Sequence, residues 1–487
     1  MAKDCRLEIV DEVNVRFHGL DVSTRRKLAD KVKFFIPQAV HMPAFQLGHW
    51  DGLVRYCDIG GRTYLNLLDK LIPIVQSDGY LIEIDDKRQS WELEFDKVDQ
   101  YSYSHVKWPV GHNCENEPIV LRDYQVEYIN SFLQCPQGVS VAPTGSGKTL
   151  VTAILSHKIG QYGRSLVIVP TKDLVTQTEE DYINLGLDVG VYYGDRKEYN
   201  RTHTICTWQS LEVLNKKSKH YDADFSLDDF ISGVSGIIVD EAHKSKADAL
   251  RKLLSGPFAN IPIRWGLTGT IPKEDYQAVA IEAVIGPLLG KIETKELQDS
   301  GVLANLHIHI WQLQDYASLF NSYQSEISWL TSDKKRMTHI ANEVAQIAKN
   351  KKGNTLVLVD RIKSGKLLQE LIPDSVFVSG DTKSIDRLKE YDEVKDSDNK
   401  VIIATYGVAS TGINIVRIFN LVLIEPGKSF VRVIQSIGRG IRSGKDKDFV
   451  DVYDVSSNAK YSKKHLRDRK KFYDEHQYPY TLTKVEY

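Results

Sequence analysis

The segment Val141-Ala-Pro-Thr-Gly-Ser-Gly-Lys-Thr149, set between a short apolar run and the helix-forming run Leu150–Ile159, restricts the fold more than any other feature of the chain. Strand, glycine-rich turn and helix in that order belong to a parallel sheet, where the turn brings a helix N-terminus to the carboxyl edge of a strand. Gly145 and Gly147 let the backbone bend until its N–H groups face phosphate oxygens, and the start of the helix adds partial positive charge. Thr144, Gly145, Ser146 and Gly147 are therefore the candidate phosphate cradle. Lys148 would neutralise the β- and γ-phosphates of a nucleotide, and Thr149 would offer its hydroxyl to Mg2+. ATP and Mg2+ are the expected cofactors.

A second element completes this chemistry. Gly236-Ile-Ile-Val239 runs directly into Asp240-Glu-Ala-His243. An apolar strand that ends in two acids delivers carboxylates to the sheet edge where ligands bind. Asp240 is the candidate Mg2+ partner, and Glu241 the group that orients and deprotonates an attacking water. A third element lies far downstream, in Gln435-Ser-Ile-Gly-Arg439-Gly-Ile-Arg442. Arginines at i and i+3 share one helix face, and a guanidinium suits the charge that develops on a transferred phosphoryl group. Gln435, Arg439 and Arg442 are thus candidate catalytic groups beside Lys148 and Glu241, delivered as fingers across a cleft.

The intervening pattern is a repeated α/β series. Candidate strands are Gly138–Ala142, Ser165–Val169, Val189–Tyr193, His203–Thr207, Gly236–Val239 and Arg264–Thr268, followed by Thr355–Val359, Ser375–Val378, Val401–Ala404, Leu421–Ile424 and Val450–Val455. Short β-branched runs that alternate with helical stretches argue for parallel sheets covered on both faces. The boundaries predicted are an N-terminal α+β domain over 1–100, a linker over 101–120, a first lobe over 121–285 and a connecting helical region over 286–352. A second lobe over 353–456 and a basic C-terminal helix over 457–487, packed on it, complete the chain. The connecting region carries the helical pattern Tyr316–Asn350; in the N-terminal domain one helix over Thr24–Phe35, capped by Ser23, is expected.

These motifs, in this order, resemble the superfamily 2 helicases of the DEAH type, over Leu121 to about Val455. The resemblance implies two RecA-like parallel-sheet lobes that hydrolyse ATP and act on nucleic acid. It implies that Arg122 and Gln125, in Leu121-Arg-Asp-Tyr-Gln125, contact the adenine. It places Thr171 and Lys172, and Thr207, Trp208 and Gln209, along the nucleic-acid track. Arg361, Gly380, Thr405 and Gly407 fall in the matching second-lobe motifs. Thr268 and Thr270, in Thr268-Gly-Thr270, would couple the γ-phosphate to lobe movement, although Gly269 stands where alanine is usual. With His49-Trp-Asp-Gly52, the chain further resembles the recombination and repair helicases of T-even bacteriophages. That resemblance implies branched, forked or duplex DNA and RNA–DNA hybrids as substrates: Holliday junctions, stalled forks, displacement loops and R-loops, in recombination, repair and control of replication initiation. It also implies an N-terminal domain that binds duplex, recombination or single-strand-binding proteins as partners, and a host bacterial cytoplasm.

The remaining features are less specific. A formal net charge of −2 leaves any polyanion-binding surface to local clusters. One such cluster, which includes Arg25, Arg26 and Lys27, reads equally as a phosphate-binding face or a solvated helix. Another runs through Lys460, Lys463, Lys464, Arg467, Arg469, Lys470 and Lys471. Trp50 reads as core, with Asp51-Gly52 as a hairpin turn. Five scattered cysteines without a CxxC argue against a disulfide framework or zinc site, and the N-terminus shows no membrane span. A cytoplasmic monomer is expected. A double-strand translocase that never separates strands, or an ATP-gated clamp or annealing protein, are the alternative readings.

Overall fold

The strand before the glycine-rich turn, Gln137–Val141, is buried along its whole length between Ile263–Thr268 and Leu288–Lys291, both parallel to it. In the computed structural model it belongs to an eight-stranded sheet. The order is Arg196–Lys197, Val189–Tyr193, His203–Thr207, Arg164–Val169, Val234–Asp240, Ile263–Thr268, Gln137–Val141, Leu288–Lys291. Among the described residues only Arg196–Lys197 pairs antiparallel in this sheet. Central strands with continuous burial, such as Ile263–Thr268, are what a parallel sheet covered on both faces requires. The described residues are 3–109, 114–143, 145–218, 225–242, 247–269, 272, 274–300, 305–315, 320–379, 398–410, 418–427, 449–475 and 478–487.

Apart from the turn Pro143–Ser146, residues Met1–Ala142 and Gly147–Lys291 form one compact unit and Ile292–Tyr487 a second. The N-terminal region has its own four-stranded sheet, ordered Arg62–Tyr64, Asn14–His18, Lys3–Ile9, Tyr80–Asp86. It is nevertheless continuous with the first lobe, because the two share one hydrophobic core. Polar contacts lock the joint. The Glu12 backbone donates to Ala259 O at 3.0 Å and accepts from Gln137 Nε2 at 2.8 Å, and Tyr56 Oη donates to Tyr276 O at 2.5 Å. Beneath them Arg264, 2% exposed, donates to the carbonyls of Leu254, Phe258 and Val284.

The second unit carries a seven-stranded sheet. Its order is Val376–Val378, Val401–Thr405, Asn354–Val359, Ile418–Ile424, Phe449–Ser457, Asn305–Leu313, Tyr480–Val485. Every registered pair in it is parallel.

Several expectations are corrected. The first lobe does not stop at 285, because Leu288–Lys291 adds an edge strand; Gly286, at φ +146, lies where a Cβ would meet the backbone of Gln137–Gly138. Nor is 286–352 wholly helical, since Asn305–Leu313 is an inner strand of the second sheet. The helical pattern Tyr316–Asn350 divides into Tyr323–Leu330 and Lys334–Asn350, because Asp333 caps the second helix through the Arg336 N–H. In the N-terminal region the helix runs Val22–Lys31. Its cap is Asp21, not Ser23, because the Asp21 carboxylate accepts from Thr24 N at 2.8 Å. Lys33–Phe35 then pairs as a strand with Leu53–Arg55, and a helix through Phe35 does not form. The C-terminal segment holds the helix Lys460–Glu475 and, beyond it, the edge strand Tyr480–Val485. No described helix is long and apolar enough to cross a membrane.

Candidate functional site

The helix Lys148–Ile159 begins on Gly147, whose φ of +84 is one that L side chains rarely adopt. A Cβ there would also stand 2.5 Å from Gln125 Nε2. Gly145 has a φ of +89, so both glycines are required by backbone geometry. Gln125 is 4% exposed and accepts from the Arg122 backbone N–H at 3.0 Å, which fixes it against the turn; the Arg122 side chain is exposed and donates to Tyr124 Oη at 3.2 Å. Thr144 lies outside the described residues.

Lys148 donates to Ala142 O at 3.0 Å and lies 3.8 Å from Glu241, with the two side chains only 10% and 12% exposed. Glu241 follows the strand Val234–Asp240 with a φ of +51. A non-glycine residue in the left-handed region is a local strain of order 1–3 kcal/mol, maintained by the surrounding packing. Here it turns the carboxylate toward Lys148 and toward the Gly269 N–H, 3.4 Å away, while its own N–H donates to Asp240 Oδ1 at 2.9 Å. Thr268 is 2% exposed at the end of its strand. A Cβ on Gly269 would lie 3.8 Å from both Glu241 Oε2 and Lys148 Nζ, so there is room for the alanine usual at this position. An ammonium, two carboxylates and a bent N–H-bearing turn at one sheet edge suit a nucleotide polyphosphate. Thr149 and Asp240 are the hard-oxygen groups that could hold Mg2+ there. Thr270, His243, Gly380, Gln435, Arg439 and Arg442 lie outside the described residues.

Of the residues expected along a nucleic-acid track in the first lobe, Thr171, Lys172, Thr207 and Gln209 line one cavity of about 380 Å³. Thr171 and Thr207 act as N-caps, accepting from Leu174 N at 3.4 Å and Ser210 N at 3.3 Å. Gln209 is exposed and donates to Pro170 O at 3.3 Å. Trp208, at 9% exposure, packs in the hydrophobic core at the start of the helix Trp208–Lys217. Two further lysines, Lys197 and Lys217, line the same cavity. They sit in no recognisable motif, so sequence reasoning missed them.

In the second lobe Arg361 donates to Gln324 Oε1 at 3.0 Å, Thr405 is 9% exposed at its strand end, and Gly407 is exposed. The C-terminal helix is not uniformly cationic. Arg469 is 4% exposed and pairs with the fully buried Asp454 at 2.9 Å, leaving Lys460, Lys463, Lys464, Arg467 and Lys471 on the exposed side. In the N-terminal domain Lys27 pairs with Asp78 at 2.6 Å and Arg25 reaches Ile59 O at 3.4 Å; Arg26 is exposed. Trp50 is half-buried, with its indole N–H on Leu53 O at 3.1 Å, and Gly52 has a φ of +76. The five cysteines are free thiols, and no metal-ligand cluster occurs among the described residues.

Residues 118–273 match the family model described as "Type III restriction enzyme, res subunit", and residues 335–444 match "Helicase conserved C-terminal domain". The chain is 26% identical over 95% of its length to the ATP-dependent DNA helicase uvsW of Enterobacteria phage T4, covering 94% of that protein. It is 27% identical over 58% of its length to the putative DNA 3'-5' helicase Rad25 of Haloarcula marismortui, and spans 44% of that relative. Among solved structures, S. cerevisiae Dbp5 bound to RNA and ADP BeF3 aligns with a TM-score of 0.52 at 15% identity, covering 76% of this chain and 90% of that one. This last likeness is one of fold.

Proposed function

The chain is an ATP-dependent DNA helicase of superfamily 2, and we propose that it uses ATP hydrolysis at the Lys148–Glu241 edge to remodel branched DNA. The observation that carries the proposal is the convergence of Lys148, Glu241 and the Gly269 N–H at one sheet edge, immediately beside a turn shaped for phosphates. In this reading Lys148 leaves Ala142 O and Glu241 for the β- and γ-phosphates. Glu241, released, accepts a proton from the attacking water. Thr149 and Asp240 would hold Mg2+, which neutralises phosphate charge. Arg439 and Arg442 supply guanidinium partners for the γ-phosphate, and Gln435 is the third candidate catalytic group of that segment. Thr268 and Thr270 relay the state of the γ-phosphate, and Arg122 and Gln125 hold the adenine.

Nucleic-acid contacts are assigned to Thr171, Lys172, Thr207 and Gln209 in the first lobe and to Arg361, Gly380, Thr405 and Gly407 in the second. Arg25 and Arg26 are assigned to duplex. All of these suit backbone rather than base readout. Holliday junctions, forks, D-loops and R-loops are the substrates proposed, in recombination and repair; the similarity to the phage T4 protein supports DNA helicase activity. The same reading has the protein working as a monomer in a host cytoplasm, beside recombination or single-strand-binding proteins. ATPase stimulation compared across single strands, duplex, forks, four-way junctions and RNA–DNA hybrids tests this. Forks and junctions should stimulate most; equal stimulation by linear duplex would overturn the branch preference. Lys148→Ala should abolish stimulated hydrolysis, and retained turnover would overturn the site. The match to a restriction-enzyme subunit favours, as a second reading, translocation along duplex without strand separation. Displacement of a third strand without unwinding of a fork would select it.

A further inference from the structure

The cavity of about 380 Å³ in the first lobe collects three lysines from three different elements. Lys172 opens the helix Lys172–Asn184, Lys197 ends the two-residue strand Arg196–Lys197, and Lys217 ends the helix Trp208–Lys217. Each fold element therefore contributes one ammonium group to a common space. Among the described residues none of the three makes an ion pair, whereas the neighbouring Lys216 is paired with Glu212 at 2.9 Å. Lys197 lies over the Tyr192 ring, 4.1 Å from its centroid. Burial and the charge of Lys217 hold its pKa below the ordinary lysine value, with Asp195 acting in the opposite sense. Like charges held together with no ion-paired carboxylate among the described residues are an unfavourable arrangement in the free protein, and a polyanion relieves it. The apolar part of the wall is made by Pro170, Tyr192, Leu214 and Val213, the last 53% exposed on the helix that carries Lys217. A charged groove with an apolar side is the form that follows a single strand, the phosphates facing the cations and the sugar–base side facing hydrocarbon.

We propose that Lys197 and Lys217 seat phosphodiester groups of a single strand, extending the track beyond Thr171–Lys172 and Thr207–Gln209. The proposal rests on the assignment of those segments to nucleic acid, and its test separates the two. The probe is a fluorescent oligothymidylate, with binding followed against salt concentration. Each cation that neutralises a phosphate of a single strand contributes a slope of about 0.7 in log K against log salt. The double variant Lys197→Gln, Lys217→Gln should therefore lose about 1.4 of slope, or about 25-fold in affinity at 0.1 M salt relative to 1 M. Lys216→Gln, which removes a charge already paired, should leave the slope unchanged. A double variant that keeps the parental slope overturns the proposal. If Lys172→Gln lowers the slope in the same experiment, the track assignment stands without it; if Lys172→Gln is also silent, the track assignment itself fails.

Should the double variant unfold, as read by its Tm, each single glutamine variant should lose about 0.7, and the arginine pair should retain the full slope. Inorganic phosphate at constant ionic strength is the second probe. Weak competition is expected, and complete displacement of the oligonucleotide at low millimolar phosphate would identify a free-phosphate site and refute a strand seat.

Discussion

Replacing Glu241 with glutamine should change ATP turnover and ATP affinity in opposite directions. The substitution keeps the shape of the side chain and an oxygen for the Gly269 N–H, which lies 3.4 Å from Glu241 Oε2. What it removes is a negative charge 3.8 Å from Lys148. At an effective dielectric of about 20, that separation corresponds to an attraction of about 4 kcal/mol. Desolvation of two side chains only 10% and 12% exposed offsets most of it. A surplus of about 1 kcal/mol would have to be given up whenever Lys148 turns to a phosphate, so Glu241→Gln should bind ATP about five-fold more tightly. Loss of the proton acceptor should meanwhile lower turnover by about 100- to 10,000-fold. Equilibrium binding of a fluorescent ATP analogue and DNA-stimulated phosphate release, measured on the same preparation, read both effects. Weaker binding, or turnover within ten-fold of the parent, would refute the account of the pair.

Arg469→Ala should destabilise the second lobe by about 3–5 kcal/mol in urea unfolding, because it strands the buried Asp454 carboxylate; a loss under about 1 kcal/mol would show that the pair contributes little. Gly269→Ala should leave ATP affinity intact and shift stability by less than about 1 kcal/mol, since the added methyl meets only contacts of 3.8 Å or more. Isothermal titration and a thermal melt check it. His203, 3% exposed and hydrogen-bonded to Ser156 and Ser165, has its pKa lowered by burial from 6.5 to about 4. A depressed folded pKa adds stability that is complete above pH 6.5 and lost as pH falls toward about 4, by about 3 kcal/mol in all. Its ring resonances should stay unmoved between pH 8 and pH 6 in an NMR titration, and a midpoint near 6.5 would contradict this.

Much of the architecture was legible because its causes are local. Val189–Tyr193 and His203–Thr207 fall where the β-branched runs place them, and Arg164–Val169 differs from expectation by one residue. Leu288–Lys291 was missed because Leu-Leu-Gly-Lys carries no β-branched signal; it pairs only because Gly286 lets the backbone approach Gly138. Asn305–Leu313 did carry a signal, the alternation of Leu306, Ile308 and Ile310 with His307 and His309, which the helical pattern that follows obscured. The cap expected at Ser23 falls instead on Asp21, and the Thr24 N–H, which donates to the Asp21 carboxylate, is what decides it.

The sequence by itself determined that a phosphate-binding turn, a pair of acids and two sheets exist. Each depends on residues within one strand–turn–helix unit, and the order of such units prescribes which strand ends share an edge. Tertiary structure alone decided how the charges are used. Arg469 and Lys27 sit among other basic residues in sequence, yet each is committed to a carboxylate, Asp454 and Asp78 respectively. Lys197 and Lys217 are unremarkable in sequence, yet they meet Lys172 around one groove. Electrostatic partnership acts through space over a few ångströms and has no period along the chain, so only the folded arrangement assigns it.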